Sequence, residues 1–287
     1  MSGKGLEMSE NQKSLAYQGG QIAYHERGEG PPLFMLHGSG PGVTAWSNFS
    51  GNLPVFAQHF RCIAPDLPGY GASTGVVGDP FEGTLKAVLH LMDELGVERA
   101  HLIGNSFGGM IAARLAAANP DRVNRLVSIG GVGVAIFNPF PFEGIERLAE
   151  FVENPTRDQM IRWLRSMVYD KSLVTDELIE SRFNSATQPT ALETNRKIYS
   201  REGLAGLARA MAGPDAVQYF AYLPKIQAPT LLAWGRDDRV TPLDGSLVPL
   251  RLIPNAELHV FPKCGHWAMI EQKAAFESVV TAFLKQS

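Results

Sequence analysis

The 287-residue sequence is short of several things that mark large function classes. It has only two cysteines, Cys62 and Cys264, far apart and outside any C-x-x-C pattern, so neither a disulfide framework nor a zinc site is expected and a reduced, cytoplasmic setting fits. It has no uninterrupted apolar run of about 18 residues, and Met1 to Glu10 are polar with no apolar h-region, so neither a membrane span nor a signal peptide is expected. The stretch from Met1 to about Lys13 reads as a loose tail. A formal charge of −3 gives no electrostatic reason to expect nucleic acid or an acidic membrane as partner. No Gly-Lys-Ser/Thr ending and no G-x-G-x-x-G spacing occur where a phosphate loop would need them, which argues against a nucleotide. Internal repeats and low-complexity segments are also lacking, and no cofactor or metal is expected.

What is present is a β-α alternation. With 45% hydrophobic residues the chain can bury a sizeable core in one large domain or two small ones. Gln21–His25 reads as an edge strand, and Leu33–Leu36 as a continuous apolar run of the kind that fills a buried parallel strand. Further strands follow at Arg61–Asp66, His101–Gly104, Leu126–Ile129, Thr230–Gly235 and Leu258–Phe261. From Thr84 the apolar positions Leu85, Val88, Leu89, Met92 and Leu95 recur at helical spacing, and Gly96 stands where a helix ends. Other helices are expected over 108–118, over 245–252, and around Phe276, Val279, Val280 and Phe283. The fold class expected is α/β, with a doubly wound, mostly parallel sheet. The alternation breaks between Gly133 and Gly213, where only helical patterns appear: Ile145, Leu148, Ala149 and Val152 share a face, Thr156 with Gln159 has a capping signature, and Thr175 opens another helix. Residues 14–132 and 214–287 therefore read as the core and 133–213 as a helical lid or an appended subdomain.

The chemistry centres on Gly104-Asn105-Ser106-Phe107-Gly108, a G-x-S-x-G pattern between a strand and an Ala-rich helix, where a serine is turned out at a sharp apex. Five residues alone are equally a glycine-rich turn with a solvated serine, so partners decide. A serine nucleophile needs a base, and the base a carboxylate that fixes its tautomer. Gly235-Arg236-Asp237-Asp238 follows one late strand and Pro262-Lys263-Cys264-Gly265-His266 the next. In a parallel sheet these loops share one edge with Ser106, in the order Ser, Asp, His. Asp237 and Asp238 are both open as the acid. His37, at the end of another strand, is the lesser alternative to His266, while His25, His90, His101 and His259 read as structural or solvated. A metal site of Cys264, His266 and the aspartates matches no zinc spacing. Oxyanion donors are expected from the Phe107 amide and from Gly38-Ser39-Gly40, a glycine-rich loop after the first buried strand.

These residues resemble an α/β-hydrolase and, more narrowly, the meta-cleavage product hydrolases, which split a carbon–carbon bond in ring-fission products of catechol-type aromatics. The resemblance runs from about Gly19 to the C-terminus. It is carried by His37-Gly38-Ser39-Gly40-Pro41-Gly42 with Trp46-Ser47-Asn48, by Gly104–Gly109, by Trp234–Arg239 with Pro242-Leu243-Asp244, by Cys264–Trp267, and by Tyr169–Leu178 through Arg182. It implies a 2-hydroxy-6-oxo-hexa-2,4-dienoate substrate, closest to members handling bulky aryl or polycyclic C6 substituents, with pocket residues near 136–142 and Val240 setting the choice. It also implies Ser106 as nucleophile, His266 as base and Asp238, rather than Asp237, as its orienter. The amides of Ser39, Gly40 and Phe107 would receive the oxyanion; Arg182, Asn105 and Asn48 would bind the dienoate oxygens; Trp267 would pack on the dienoate; and Ser172 would join the substrate-binding set. Family members often carry glycine where this chain has Ser39. A homodimer or higher homo-oligomer is the expected assembly. The competing reading is a carboxylesterase or lactonase with the same triad, since fold and triad do not fix the substrate. A catalytically silent binding protein is disfavoured by the intact triad. Dehalogenase and epoxide hydrolase chemistry would put an aspartate at Ser106.

Overall fold

A computed structural model describes residues 12–75, 79–133, 135–138, 140–212 and 219–286. Among them lie eight strands: β1 (Gln12–Tyr17), β2 (Gly20–Arg27), β3 (Pro32–Leu36), β4 (Arg61–Pro65), β5 (Ala100–Asn105), β6 (Val123–Ile129), β7 (Thr230–Gly235) and β8 (Ala256–Phe261). They form one sheet in the order β1-β2-β4-β3-β5-β6-β7-β8. β1, β2 and β4 pair antiparallel, and every pair from β4–β3 to β7–β8 is parallel. The expected edge strand at Gln21–His25 is therefore second in the sheet, with β1 outside it. The expected tail to Lys13 ends sooner, because Gln12 and Lys13 already pair with His25 and Tyr24; residues 1–11 lie outside the described residues.

Period-two alternation divides the core between the faces of the sheet. Leu33 and Met35 of β3 join one cluster, Phe34 and Leu36 the other. The first face is covered by α1 (Ala45–Phe49), α2 (Leu53–Phe56) and a late helix, and the second by α3 (Pro80–Glu94) and α4 (Phe107–Ala118). α3 begins one turn earlier than the apolar spacing suggests, since the Asp79 carboxylate accepts from the Phe81 and Glu82 amides at 3.0 and 2.8 Å and Pro80 suits the first helical position. Gly96, just past this helix, has φ +65°.

Among the described residues five α-helices lie in the interval between β6 and β7: α5 (Glu143–Glu153), α6 (Arg157–Met167), α7 (Asp176–Ala186), α8 (Pro189–Tyr199) and α9 (Arg201–Ala212). Thr156 and Thr175 cap α6 and α7 by accepting from the Gln159 and Leu178 amides. Residues 213–218, where the second seam of this insertion is expected, lie outside the described residues. After β7 come α10 (Leu247–Leu252), α11 (Ala268–Glu271) and α12 (Lys273–Leu284), the last carrying Phe276, Val280 and Phe283 onto the first sheet face. Among the described residues no helix is long and apolar enough to cross a membrane.

The entry to the insertion is pinned by Asp244, whose carboxylate accepts from the Ile136 and Phe137 amides at 2.6 and 2.7 Å and from Asn138 Nδ2 at 2.9 Å. Burial opposes its ionisation, but these donors outweigh it and hold its carboxyl below the ordinary value. Asp244→Ala is expected to lower unfolding free energy at neutral pH by about 1 kcal/mol, the modest value suiting a site near solvent. A carboxylate with a depressed folded-state pKa stabilises above its unfolded value of 3.8 and loses that contribution as pH falls below it. Urea titrations should thus show the difference from wild type shrinking in acid.

Candidate active site

Ser106 joins β5 to α4 with φ +52° and ψ −115°, a backbone setting that costs a non-glycine residue free energy and survives only where its surroundings impose it. The surroundings are close. The Ser106 amide donates to the Ile129 carbonyl of β6 at 2.8 Å, and a Cβ on Gly108 would lie 2.2 Å from the Leu36 carbonyl oxygen of β3. Phe107 opens α4, so its amide belongs to the first-turn N–H groups that a helix cannot satisfy itself. Its ring is buried against Phe81 at 5.3 Å, outside the pocket, leaving only its backbone for the expected role.

The loops after β7 and β8 bring the acid and the imidazole together. His266 Nδ1 is 2.7 Å from Asp238 Oδ2, both side chains are buried, and Asp238 Oδ1 accepts from the Val240 and Thr241 amides at 2.8 and 2.9 Å. Asp237 is half-buried beside Arg236, 3.3 Å away, so the choice between the two aspartates falls on Asp238. Sequence reasoning missed Thr241, whose hydroxyl lies 2.9 Å from Asp238 Oδ2, 3.0 Å from the Gly130 carbonyl and 3.2 Å from His266 Nδ1. The only signal was its place in the turn that follows the acid. The His266 amide donates to the Met167 carbonyl of α6 at 2.7 Å. Glu271 accepts from the amides of Gly265, Tyr169 and Asp170, which bolts the histidine loop to the helical insertion.

His37 is unsuited to act as the base. Its Nε2 accepts from the Leu67 amide at 2.9 Å, which leaves Nδ1 to donate to the Gly38 carbonyl at 2.6 Å, and burial lowers its pKa. Cys264 is buried, its thiol pushed well up by desolvation, and among the described residues no group of three His, Cys, Asp or Glu is placed to hold a metal ion.

Ser106 and His266 face one pocket, with about 430 Å³ of atom-free space that includes volume open to solvent, together with Ser39, Gly40, Asn105, Arg182 and Trp267. Ile145 and Leu148 of α5, Trp163 and Met167 of α6, and Val240 supply apolar wall, and Tyr199 of α8 contributes a phenol. Trp163, Met167 and Tyr199 were not foreseen as pocket residues, although the amphipathic spacing of the insertion implied some inward face. Arg182 is the exceptional member. It is 3% exposed, its guanidinium carbon stands 5.5 Å over the Trp267 ring, its Nε has no hydrogen-bond partner, and among the described residues no carboxylate pairs with it. Burial pulls its pKa down to about 10, so the guanidinium stays charged at neutral pH. Asn105 Nδ2 donates to the Ile129 carbonyl at 3.3 Å, which fixes its amide at the pocket wall.

Three sequence expectations need correction. Asn48 is buried and is not among the residues lining the pocket; its Oδ1 accepts from the Gly38 amide at 3.1 Å, so it braces the loop. Ser172 is exposed and turned to Asp170, which accepts from its amide at 2.9 Å and its hydroxyl at 2.7 Å, in a surface turn away from the pocket. Of the stretch 136–142, Ile136 and Phe137 are 53% and 79% exposed, because Asp244 holds their backbone outward. Pro139 lies outside the described residues.

The arrangement of a strained serine, a carboxylate-held histidine, uncommitted first-turn amides and a pocket they share suits acyl transfer. The α/β hydrolase fold family matches residues 31–273. The chain is 38% identical over 271 residues, covering 92% of it and 91% of the relative, to a 2-hydroxy-6-oxo-6-phenylhexa-2,4-dienoate hydrolase of Burkholderia cepacia. It is 41% identical over 271 residues, 92% of both chains, to a 2-hydroxy-6-oxononadienedioate/2-hydroxy-6-oxononatrienedioate hydrolase of Pseudomonas putida. A solved meta-cleavage product hydrolase from Pseudomonas fluorescens IP01 superimposes with TM-score 0.83 at 34% identity, covering 94% of this chain and 96% of that one. With the elbow, the acid–histidine pair and the guanidinium in place, these likenesses make the chain an α/β-hydrolase that belongs to the meta-cleavage product hydrolases.

Proposed function

We propose that the protein hydrolyses the C5–C6 bond of a 2-hydroxy-6-oxo-hexa-2,4-dienoate with an aryl or fused-ring group at C6, giving 2-hydroxypenta-2,4-dienoate and a carboxylic acid. The observation that carries this reading is Arg182, a buried guanidinium without an acid partner among the described residues, facing the same pocket as Ser106. A buried charge without a partner costs free energy that an anionic ligand offsets, and a guanidinium fork matches a carboxylate. Asn105, which lines the same pocket, suits the 2-oxo group. Ile145, Leu148, Met167 and Val240 suit an uncharged ring, and among the described residues no second Lys or Arg lines the pocket to receive a distal carboxylate.

Ketonisation of the dienol places the C6 carbonyl over Ser106. His266 takes the serine proton as Oγ attacks C6, and Asp238 stabilises the imidazolium. The oxyanion is received by the Phe107 amide and by Ser39 or Gly40, because Asn48 already occupies the Gly38 amide. Cleavage expels the dienoate with a proton from His266, and water delivered through His266 hydrolyses the acyl-serine. The helical insertion over 133–213 acts as the lid of this site, above a core of 14–132 and 214–287. A cytoplasmic setting, supported by two unpaired buried cysteines, and a homodimer or higher homo-oligomer belong to the same proposal. Mixing the enzyme with the phenyl-substituted dienol should bleach its yellow band. If the band persists while uncharged aryl esters or lactones turn over quickly, the esterase or lactonase reading replaces this one.

A further inference from the structure

Ser39 is 3% exposed in the loop after β3, and its hydroxyl is hydrogen-bonded to the Tyr199 hydroxyl at the end of α8. Its carbonyl accepts from the Tyr70 hydroxyl at 3.1 Å, and the amide before it is held by Asn48. The loop is thus clamped from below by the core. From above it meets three helices of the insertion. A Cβ on Gly40 would lie 2.8 Å from the Trp163 ring of α6, one on Gly42 would lie 2.5 Å from the Arg182 carbonyl of α7, and Ser39 meets Tyr199 of α8. The first two contacts are steric and tolerate sliding. The Ser39–Tyr199 bond is directional, so it fixes orientation.

The geometry points to Tyr199 as a positioning residue for C–C hydrolysis: through Ser39 it holds the oxyanion loop in register with Ser106, so that the helical insertion helps to complete the oxyanion hole. This rests on the reading under Proposed function for its substrate. Without such a bond a serine hydroxyl in this loop is free to rotate, and the clamp from below leaves the upper side of the residue unheld. Tied to Tyr199 above while its carbonyl is tied to Tyr70 below, the residue has its amide direction set from both sides. Oxyanion donors act only when aimed at the charge that develops, and a displacement near 1 Å is enough to lose much of their effect. A glycine here cannot make this bond; the serine makes the loop answerable to α8.

The experiment is a double-mutant cycle with Tyr199→Phe, Ser39→Ala and the pair, using 2-hydroxy-6-oxo-6-phenylhexa-2,4-dienoate in steady state. Each single change is expected to lower kcat by roughly tenfold with KM within about threefold, because the tether acts on the transition state rather than on binding. The double variant should be no worse than the poorer single one. Losses that multiply, a change confined to KM, or wild-type kcat in Tyr199→Phe would overturn the proposal. Should Tyr199→Phe fold poorly by its thermal melt, Ser39→Ala breaks the same bond from the other side, and wild-type kcat there overturns it equally. If wild-type enzyme leaves the dienol intact, the substrate reading fails by itself. The same cycle is then run on an aryl ester, which uses the same oxyanion loop, and is judged by the same outcomes.

Discussion

Ser106→Ala is expected to lower kcat for dienol cleavage by about 10⁴-fold or more, while the affinity for the dienoate changes by less than about threefold. The two halves of this expectation have separate causes. Removing Oγ removes the atom that bonds to C6, and no neighbouring group replaces it: His37 has both ring nitrogens committed and Cys264 is a buried thiol held protonated by desolvation. In the proposed function binding rests on groups the change does not touch, chiefly Arg182 and Asn105, which line the pocket. The backbone strain at φ +52° belongs to the turn, so alanine inherits it and stability should move by less than about 1 kcal/mol. Combining the change with His266→Ala should add almost nothing, since nucleophile and base act as one unit. Stopped-flow absorbance gives the rate, and titration of the inactive variant gives the affinity. A kcat within tenfold of wild type would remove Ser106 from the reaction.

The elbow was legible because strand, turn and helix each carry a local signal around Ser106, and the triad because chain order in a parallel sheet predicts which loops share an edge. Residue spacing alone left Asp237 and Asp238 open. They precede the same turn, and what separates them is tertiary: the Asp237 amide donates to the Cys264 carbonyl at 2.8 Å, while the Asp238 carboxylate meets His266. β1 was missed because it has no fully buried residue and its period-two pattern is confined to half-buried Leu15 and Tyr17, too few positions to mark a strand. α1 and α2, at 5 and 4 residues, are too short for a helical period to register. Tyr199 escaped notice because its partner Ser39 is 160 residues away, and pairwise contacts of that range leave no trace in one sequence. Ser172 shows the opposite failure. A stretch that resembles the family led to a residue whose own hydrogen bonds turn it toward solvent.

Arg182→Met should separate recognition from folding, lowering kcat/KM for the dienoate by about 10²-fold, near 3 kcal/mol, while the ligand-free fold holds or gains stability. In the free protein this guanidinium is desolvated with no carboxylate beside it among the described residues, so methionine of similar length removes a cost and keeps the packing on Trp267. In the complex the same change strands the substrate carboxylate in a buried pocket. Arg182→Lys should recover only part of the loss, because an ammonium keeps the charge but not the planar fork or its stacking on the indole. The pH dependence follows from the same burial. With its pKa lowered from 12.5 to about 10, the folded chain releases this proton before the unfolded chain does. Between those values the unfolded state binds more protons, so this group's unfavourable contribution to stability is present at neutral pH and fades as pH rises through the window. Dienoate binding runs the other way. It needs the cation, so wild-type kcat/KM, which reports the free enzyme, should fall as pH climbs past about 10, while in kcat, which reports the complex, the bound carboxylate should move the midpoint upward. The methionine variant should lack this alkaline limb. An uncharged aryl ester serves as the control, because it makes no demand on the guanidinium and should be cleaved by wild type and Arg182→Met at rates within about threefold. Equal losses on both substrates would mean that Arg182 supports the pocket rather than reading the carboxylate.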